Sequence, residues 1–186
     1  MLASQQRDPA EPFVTNRPVN KRISHPKPIH VPVRLAGRSK RALRTQFAAL
    51  CYRVVEGEVE VLLITSRRRK RWIIPKGWPM DGRSGAQAAA QEAWEEAGAK
   101  GKAHPRCLGV YSYTKVSGPR KGLPCLVAVF PVEVSELHDS FPERKQRKRK
   151  WFSVRKAASK VEEPELRAIL AGFRPPTPRH TTDTGN

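Results

Sequence analysis

WIIPKGWPMDGRSGAQAAAQEAWEEAGAKGK, residues 72–102, holds a helix and the approach to it. Ser84 is followed three residues later by Gln87, the reciprocal cap that satisfies the first free N–H groups of a helix. AAAQEAWEEA then supplies strong helix formers as far as Gly98, a residue suited to the left-handed turn that ends helices. On the predicted helix Glu92, Glu95 and Glu96 stand at i, i+3 and i+4, so their side chains leave one face within a single turn. Like charges so close repel one another, and a hard divalent cation with oxygen ligands relieves that repulsion. Spacing alone also fits an ordinary solvated acidic face. The approach favours the cation: Trp72–Pro75 reads as a short strand and Lys76–Pro79 as a basic, glycine-containing loop. Such a loop lets an ammonium and bare backbone come close to phosphate oxygens.

On either side lie strand patterns. Thr45–Val54 and Val59–Thr65 are rich in apolar and β-branched residues around the turn-like Glu56-Gly57, which predicts a hairpin. Cys107–Lys115 and Leu123–Val134 predict a second strand group about the turn signal Gly118-Pro119, and Trp151-Phe152 one strand more. A C-terminal helix is expected over Pro164–Phe173. Strands, helix, strands, helix is the order of an α/β sandwich rather than of a regular βαβ array.

The chain has 186 residues, enough for a single domain with a real core. Residues 1–43 carry six prolines among scattered basic residues and no periodicity, which reads as an extended or disordered arm. Residues 174–186 read as a loose tail, leaving 44–173 as the domain. No apolar run approaches the roughly 20 residues of a membrane span, so no membrane role is expected. The N-terminus has no continuous apolar core and carries Asp8 and Glu11, so a cytoplasmic location is expected. Cys51, Cys107 and Cys125 sit in apolar stretches without metal-type spacing and are expected as buried free thiols. Charge is the dominant compositional fact: 36 Lys plus Arg against 17 Asp plus Glu, a net +19, implies an anionic partner.

Gly77, Glu92, Ala93, Glu95, Glu96, Gly98 and Ala99 stand in register with the signature of the Nudix hydrolases. The sequence around them resembles in particular the diphosphoinositol polyphosphate phosphohydrolase branch and its bacterial relatives, over about Gln46 to Val161. The resemblance implies a Nudix-type α/β/α sandwich with a mixed β-sheet, a carboxylate-bearing central helix and a C-terminal helix. It also implies magnesium, with manganese as an alternative, held by Glu92, Glu95 and Glu96, and cleavage of a phosphoanhydride. Glu96 and Glu95 are then the catalytic carboxylates, Glu95 as third ligand or water-orienting base, and Glu143 is a candidate further acid from a loop. Two signature positions depart. Arg83 replaces the first Glu and Gln91 replaces the Arg, so an acid is exchanged for a cation that can meet substrate phosphate.

Two basic clusters flank this segment, Arg67–Arg71 and Arg144–Lys150. In the resembled branch basic residues at similar positions bind substrate phosphates. Arg67, Arg69, Arg71, Lys76, Gly77, Arg83, Arg147 and Arg149 are therefore expected at the substrate, with Lys115, Arg120 and Lys121 at the rim. A solvated basic surface is the plainer account of each run. The expected substrate is a diphosphoinositol polyphosphate, a dinucleoside polyphosphate or inorganic polyphosphate, acted on by a monomer or weak homodimer. Removal of pyrophosphate from RNA 5′ ends is the alternative reaction. A Nudix fold that binds RNA or polyphosphate without turnover is the alternative of another class, and Arg83 and Gln91 are its signs.

Overall fold

The computed structural model describes residues 44–115 and 122–176. The expected N-terminal arm, the Gly118-Pro119 turn, Arg120, Lys121 and most of the expected tail lie outside the described residues.

β1 (Arg44–Val55) and β2 (Glu58–Thr65) form the expected hairpin, closed by Glu56 and Gly57 at φ 51° and 82°. Positive φ at both positions matches the right-handed twist of the two strands. β1 and β2 pair only between Tyr52–Val55 and Glu58–Val61. Beyond that they part, and the segment after β2 fills the gap: β3 (Trp72–Ile73) pairs with β2 and β4 (Lys76–Gly77) with β1. Lys76–Gly77, expected as loop, is thus a two-residue strand inside the sheet. Its own sequence carries no strand signal; pairing with Phe47 and Ala48 holds it there.

After α1 (Gly85–Ala97) the chain forms β5 (Ala99–Ala103), β6 (Gly109–Thr114) and β7 (Pro124–Leu137). β7 runs parallel to β1, and its other edge carries β6 and then β5, both antiparallel. β8 (Arg149–Ser153) covers the free edge of β2. The result is the expected mixed sheet, eight-stranded among the described residues. β5 has no counterpart in the sequence reading, because AKGKA lacks apolar alternation and β7 alone makes it a strand. The same holds for α2 (Val154–Lys160), a short helix before the expected α3 (Pro164–Ala171).

α1 packs on one face of the sheet. Ala89, Ala93 and Ala97 form a narrow stripe against Ala49, Cys51, Leu62, Ile64 and Val132. Small side chains at this spacing let the helix lie close to the strands. α2 and α3 cover the other face, where Ala157, Leu166 and Leu170 join Leu50, Tyr52, Leu63, Tyr111 and Val127. Cys51 and Cys125 are buried as expected, whereas Cys107 is exposed, because it lies in the connection before β6 rather than in the strand. No helix among the described residues is long and apolar enough to cross a membrane.

Candidate active site

α1 starts as its sequence dictates. Ser84 Oγ accepts from Gln87 N–H and Gln87 Oε1 accepts from Ser84 N–H, while Gly98 ends the helix at φ 65°. This places Glu92 and Glu96 against β4. The Glu92 carboxylate lies so near Gly77 that a Cβ there would stand 1.7 Å from its Oε1, so any side chain at Gly77 would displace the carboxylate. Glu96, 6% exposed, accepts from Lys76 N–H at 3.1 Å. The Lys76 ammonium lies on the α3 side of the sheet, 5.3 Å over the Tyr113 ring. Burial lowers its pKa, and Glu96 and Glu163 oppose that effect.

The loop 138–148 closes the site from the C-terminal end of α1. Glu143 N–H donates to Glu95 O at 3.0 Å, which docks the loop on the helix. Arg147 turns inward, its side chain 6% exposed, and pairs with both Glu96 and Glu143. Its third link is to Thr65 O at 3.0 Å. Arg67 pairs with Glu143 from outside. Burial and nearby negative charge both make a carboxylate keep its proton. Burial, then the charges of Glu96, Glu95 and Glu143, push the Glu92 carboxyl up to about 7, with Arg147 opposing. Glu96 is also displaced upward by burial, against the pull of Arg147 and Lys76.

The two departures from the signature meet in space. Arg83 Nη1 donates to Gln91 Oε1 at 3.2 Å, and Gln91 Nε2 donates to Glu95 Oε1 at 2.7 Å. An amide at position 91 therefore still orients Glu95, with Arg83 behind it.

The basic clusters divide. Arg68, Arg69, Arg144 and Lys145 are exposed, as is Arg67 despite its pairing. Three arginines expected at the substrate are committed elsewhere. Arg71 ties β3 to Glu162 and Glu163 before α3, at 2.5 and 3.5 Å. Arg149 donates to Ala97 O at 2.7 Å and to His138 O at 2.5 Å, capping the last carbonyl of α1 and tying it to the loop after β7. Arg147 faces the acids. Arg147 and Arg149 each meet an oxygen of a buried residue, Glu96 and Ala97, where a guanidinium takes the place of water. Sequence reading missed Thr65 and Glu163, whose only signals were the end of a strand and the residue before a helix-starting proline.

Among the described residues no three Asp, Glu, His or Cys side chains are gathered as a ready metal cage. Glu92 and Glu96 nevertheless fit a hard divalent ion. No hydrogen bond or ion pair reaches the Glu92 carboxylate among the described residues, and its oxygens sit among other acids. Magnesium-type sites draw on one or two carboxylates plus water and phosphate.

A sheet between two helical layers, with acids of the central helix set against a bare glycine, defines the class of protein. A family model of the NUDIX domain matches residues 44–173, and the chain belongs to the Nudix family. It is 35% identical to Nudix hydrolase 12, mitochondrial, of Arabidopsis thaliana, over 54% of this chain and 51% of that protein. To the human diphosphoinositol polyphosphate phosphohydrolase 3-alpha it is 38% identical, over 59% of this chain and 64% of that one. The chain thus spans only about half to two thirds of the length of these relatives. Among solved structures it resembles a C. elegans Ap4A hydrolase, at TM-score 0.52 and 21% identity, over 69% of this chain and 94% of that one. That is a likeness of fold.

Proposed function

We propose that residues 44–173 form a hydrolase domain that cleaves a phosphoanhydride in a densely anionic substrate with a divalent cation, magnesium in the first place. The observation that carries this reading is the Glu92–Glu96 pair against Lys76–Gly77, with Glu92 half-buried and unpaired. The names of the relatives support it: a diphosphoinositol polyphosphate phosphohydrolase and an Ap4A hydrolase.

In this reading Glu92 and Glu96 hold the cation, and Glu95 is the third ligand or the group that orients water. The cation, when bound, neutralises phosphate charge and makes water more acidic. The protein's own contributions are positional. Gly77 leaves room beside Glu92, Lys76 N–H and Arg147 orient Glu96, and Gln91 holds one oxygen of Glu95 so that the other faces water. Glu143, gripped by Arg67 and Arg147, keeps the loop in place rather than moving protons. Arg68, Arg69, Arg144 and Lys145 attract the polyanion from solvent, and Lys115 lies at the rim. The substrate is a diphosphoinositol polyphosphate, a dinucleoside polyphosphate or inorganic polyphosphate, and the chain works as a monomer or weak homodimer in the cytoplasm.

The test is a substrate panel with magnesium: an inositol pyrophosphate, diadenosine hexaphosphate, inorganic polyphosphate and 5′-triphosphorylated RNA, with Glu96→Gln as control. Turnover that disappears in the control supports the reaction and selects its substrate. Turnover of the RNA alone selects the 5′-end reading. Tight metal-independent binding without turnover makes Arg83 and Gln91 marks of a binding protein and overturns the hydrolase.

A further inference from the structure

Arg83 stands just before the N-cap of α1, and a tight turn fixes its backbone there: its N–H donates to Met80 O at 3.1 Å, and Gly82 precedes it at φ 70°. From that point its side chain reaches eight residues along the helix, where Nη1 donates to Gln91 Oε1 at 3.2 Å. Gln91 Nε2 donates in turn to Glu95 Oε1 at 2.7 Å, one helical turn further on. The bonds run in one direction, from guanidinium to amide to carboxylate. The amide is the link with two unlike ends. A carboxylate only accepts, so Gln91 serves Glu95 with its NH2 group and must turn its carbonyl away. Rotated by half a turn, the same side chain would set its carbonyl against the Glu95 carboxylate. The two ends are alike in size, so packing scarcely selects between them; a donor on the far side does. A guanidinium has donors and no acceptor, and so it can meet only the carbonyl end.

We infer that Arg83 is a positioning residue that fixes which end of the Gln91 amide faces Glu95, and that the two departures from the Nudix signature are a matched pair, each sound only with the other. An arginine in place of Gln91 has donors alone and needs no such guide; its complement at the other position is an acid. An acid in place of Arg83 beside the present Gln91 would attract the NH2 end and swing the carbonyl toward Glu95. A cation at one position therefore goes with an amide at the other. The inference rests on the proposed work of Glu95 at the cation and the water, and it makes the pair part of a working site rather than the mark of a lost one. It also takes Arg83 away from the substrate, since its guanidinium acts through Gln91.

Nuclear magnetic resonance of the full chain, carrying isotopically labelled glutamine and held in EDTA without substrate, reads the amide directly. The Gln91 side-chain signal is the one lost in Gln91→Met. It should exchange with solvent about tenfold more slowly than an exposed glutamine amide, and Arg83→Met should abolish the difference. Kinetics with magnesium, on the substrate that the panel selects, then read the consequence. Arg83→Met should lower kcat about tenfold with KM nearly unchanged, and Arg83→Lys, which keeps a donor, should recover most of the loss. Arg83→Glu should be slower than Arg83→Met, whereas Arg83→Glu combined with Gln91→Arg should return to within a few-fold of the original chain. The inference is overturned by a Gln91 amide equally protected in Arg83→Met, by a rise in KM at constant kcat, which would put Arg83 on the substrate, or by a double variant as slow as Arg83→Glu. The resonance measurement uses neither metal nor turnover. A chain inactive on every substrate therefore defeats the proposed reaction, while the amide signal still decides the role of Arg83.

Discussion

Replacing Arg147 by Met removes the cation on which the carboxylate site closes. The Arg147, Glu96 and Glu143 side chains are 6%, 8% and 14% exposed, so water replaces little of what is lost. After Arg147→Met, Glu96 keeps only the Lys76 N–H and Glu143 keeps Arg67, while Thr65 O loses its donor. Removing one partner of a buried pair costs about 3–5 kcal/mol, a large part of the roughly 5–15 kcal/mol that holds a domain together. Urea unfolding followed by circular dichroism should therefore show a midpoint lower by about 2 M, at a slope of about 2 kcal/mol/M. Adding Glu96→Gln to Arg147→Met removes the stranded charge, so the pair should be less than additive by about 1–3 kcal/mol. A loss below about 1 kcal/mol, or strict additivity, would refute the view of Arg147 as an internal counter-charge. It would return Arg147 to the substrate side, where loss of the guanidinium raises KM instead.

Further outcomes follow from the same geometry. Gly77→Ala puts a methyl group into the Glu92 carboxylate; displacement on the order of 1 Å should lower kcat about a hundredfold while the urea midpoint moves little. Glu92 keeps its proton to about 7 in the folded chain and to an ordinary 4.5 in the unfolded one, so the folded state binds more protons between these values. Stability then falls as pH rises from about 4.5 to 7, by about 1–2 kcal/mol once solvent screening of this half-buried carboxylate is counted; Glu92→Gln should flatten this slope, with Glu96 leaving a residue of the same sign. Arg149→Met uncovers the last carbonyl of α1 and should cost about 1–2 kcal/mol in the same unfolding assay. Changing Arg68, Arg69, Arg144 and Lys145 to Ser should raise KM with kcat unchanged, and the difference should shrink as salt screens the charges.

The helix and its acids were legible because each signal is local. A cap three residues from its partner, helix formers between and a glycine after them are all decided within one segment, and the structure reproduces this from Ser84 to Gly98. The strands β1, β2 and β7 announced themselves through long apolar runs. β4 and β5 did not, because Lys76–Gly77 and AKGKA become strands only by pairing with a neighbour already in place.

By itself, then, the sequence determined the family, the mixed α/β architecture and the turn of helix that presents Glu92, Glu95 and Glu96. Tertiary structure alone decided where the positive charge goes. Arg147 reaches Glu96 across 51 residues, Arg71 reaches Glu163 across 92, and Arg149 reaches Ala97 across 52. A run of basic residues has no periodicity that distinguishes the arginine facing solvent from the one facing a buried carboxylate. That choice is made by the desolvation of the oxygen each guanidinium meets, and the oxygen comes from a distant part of the chain.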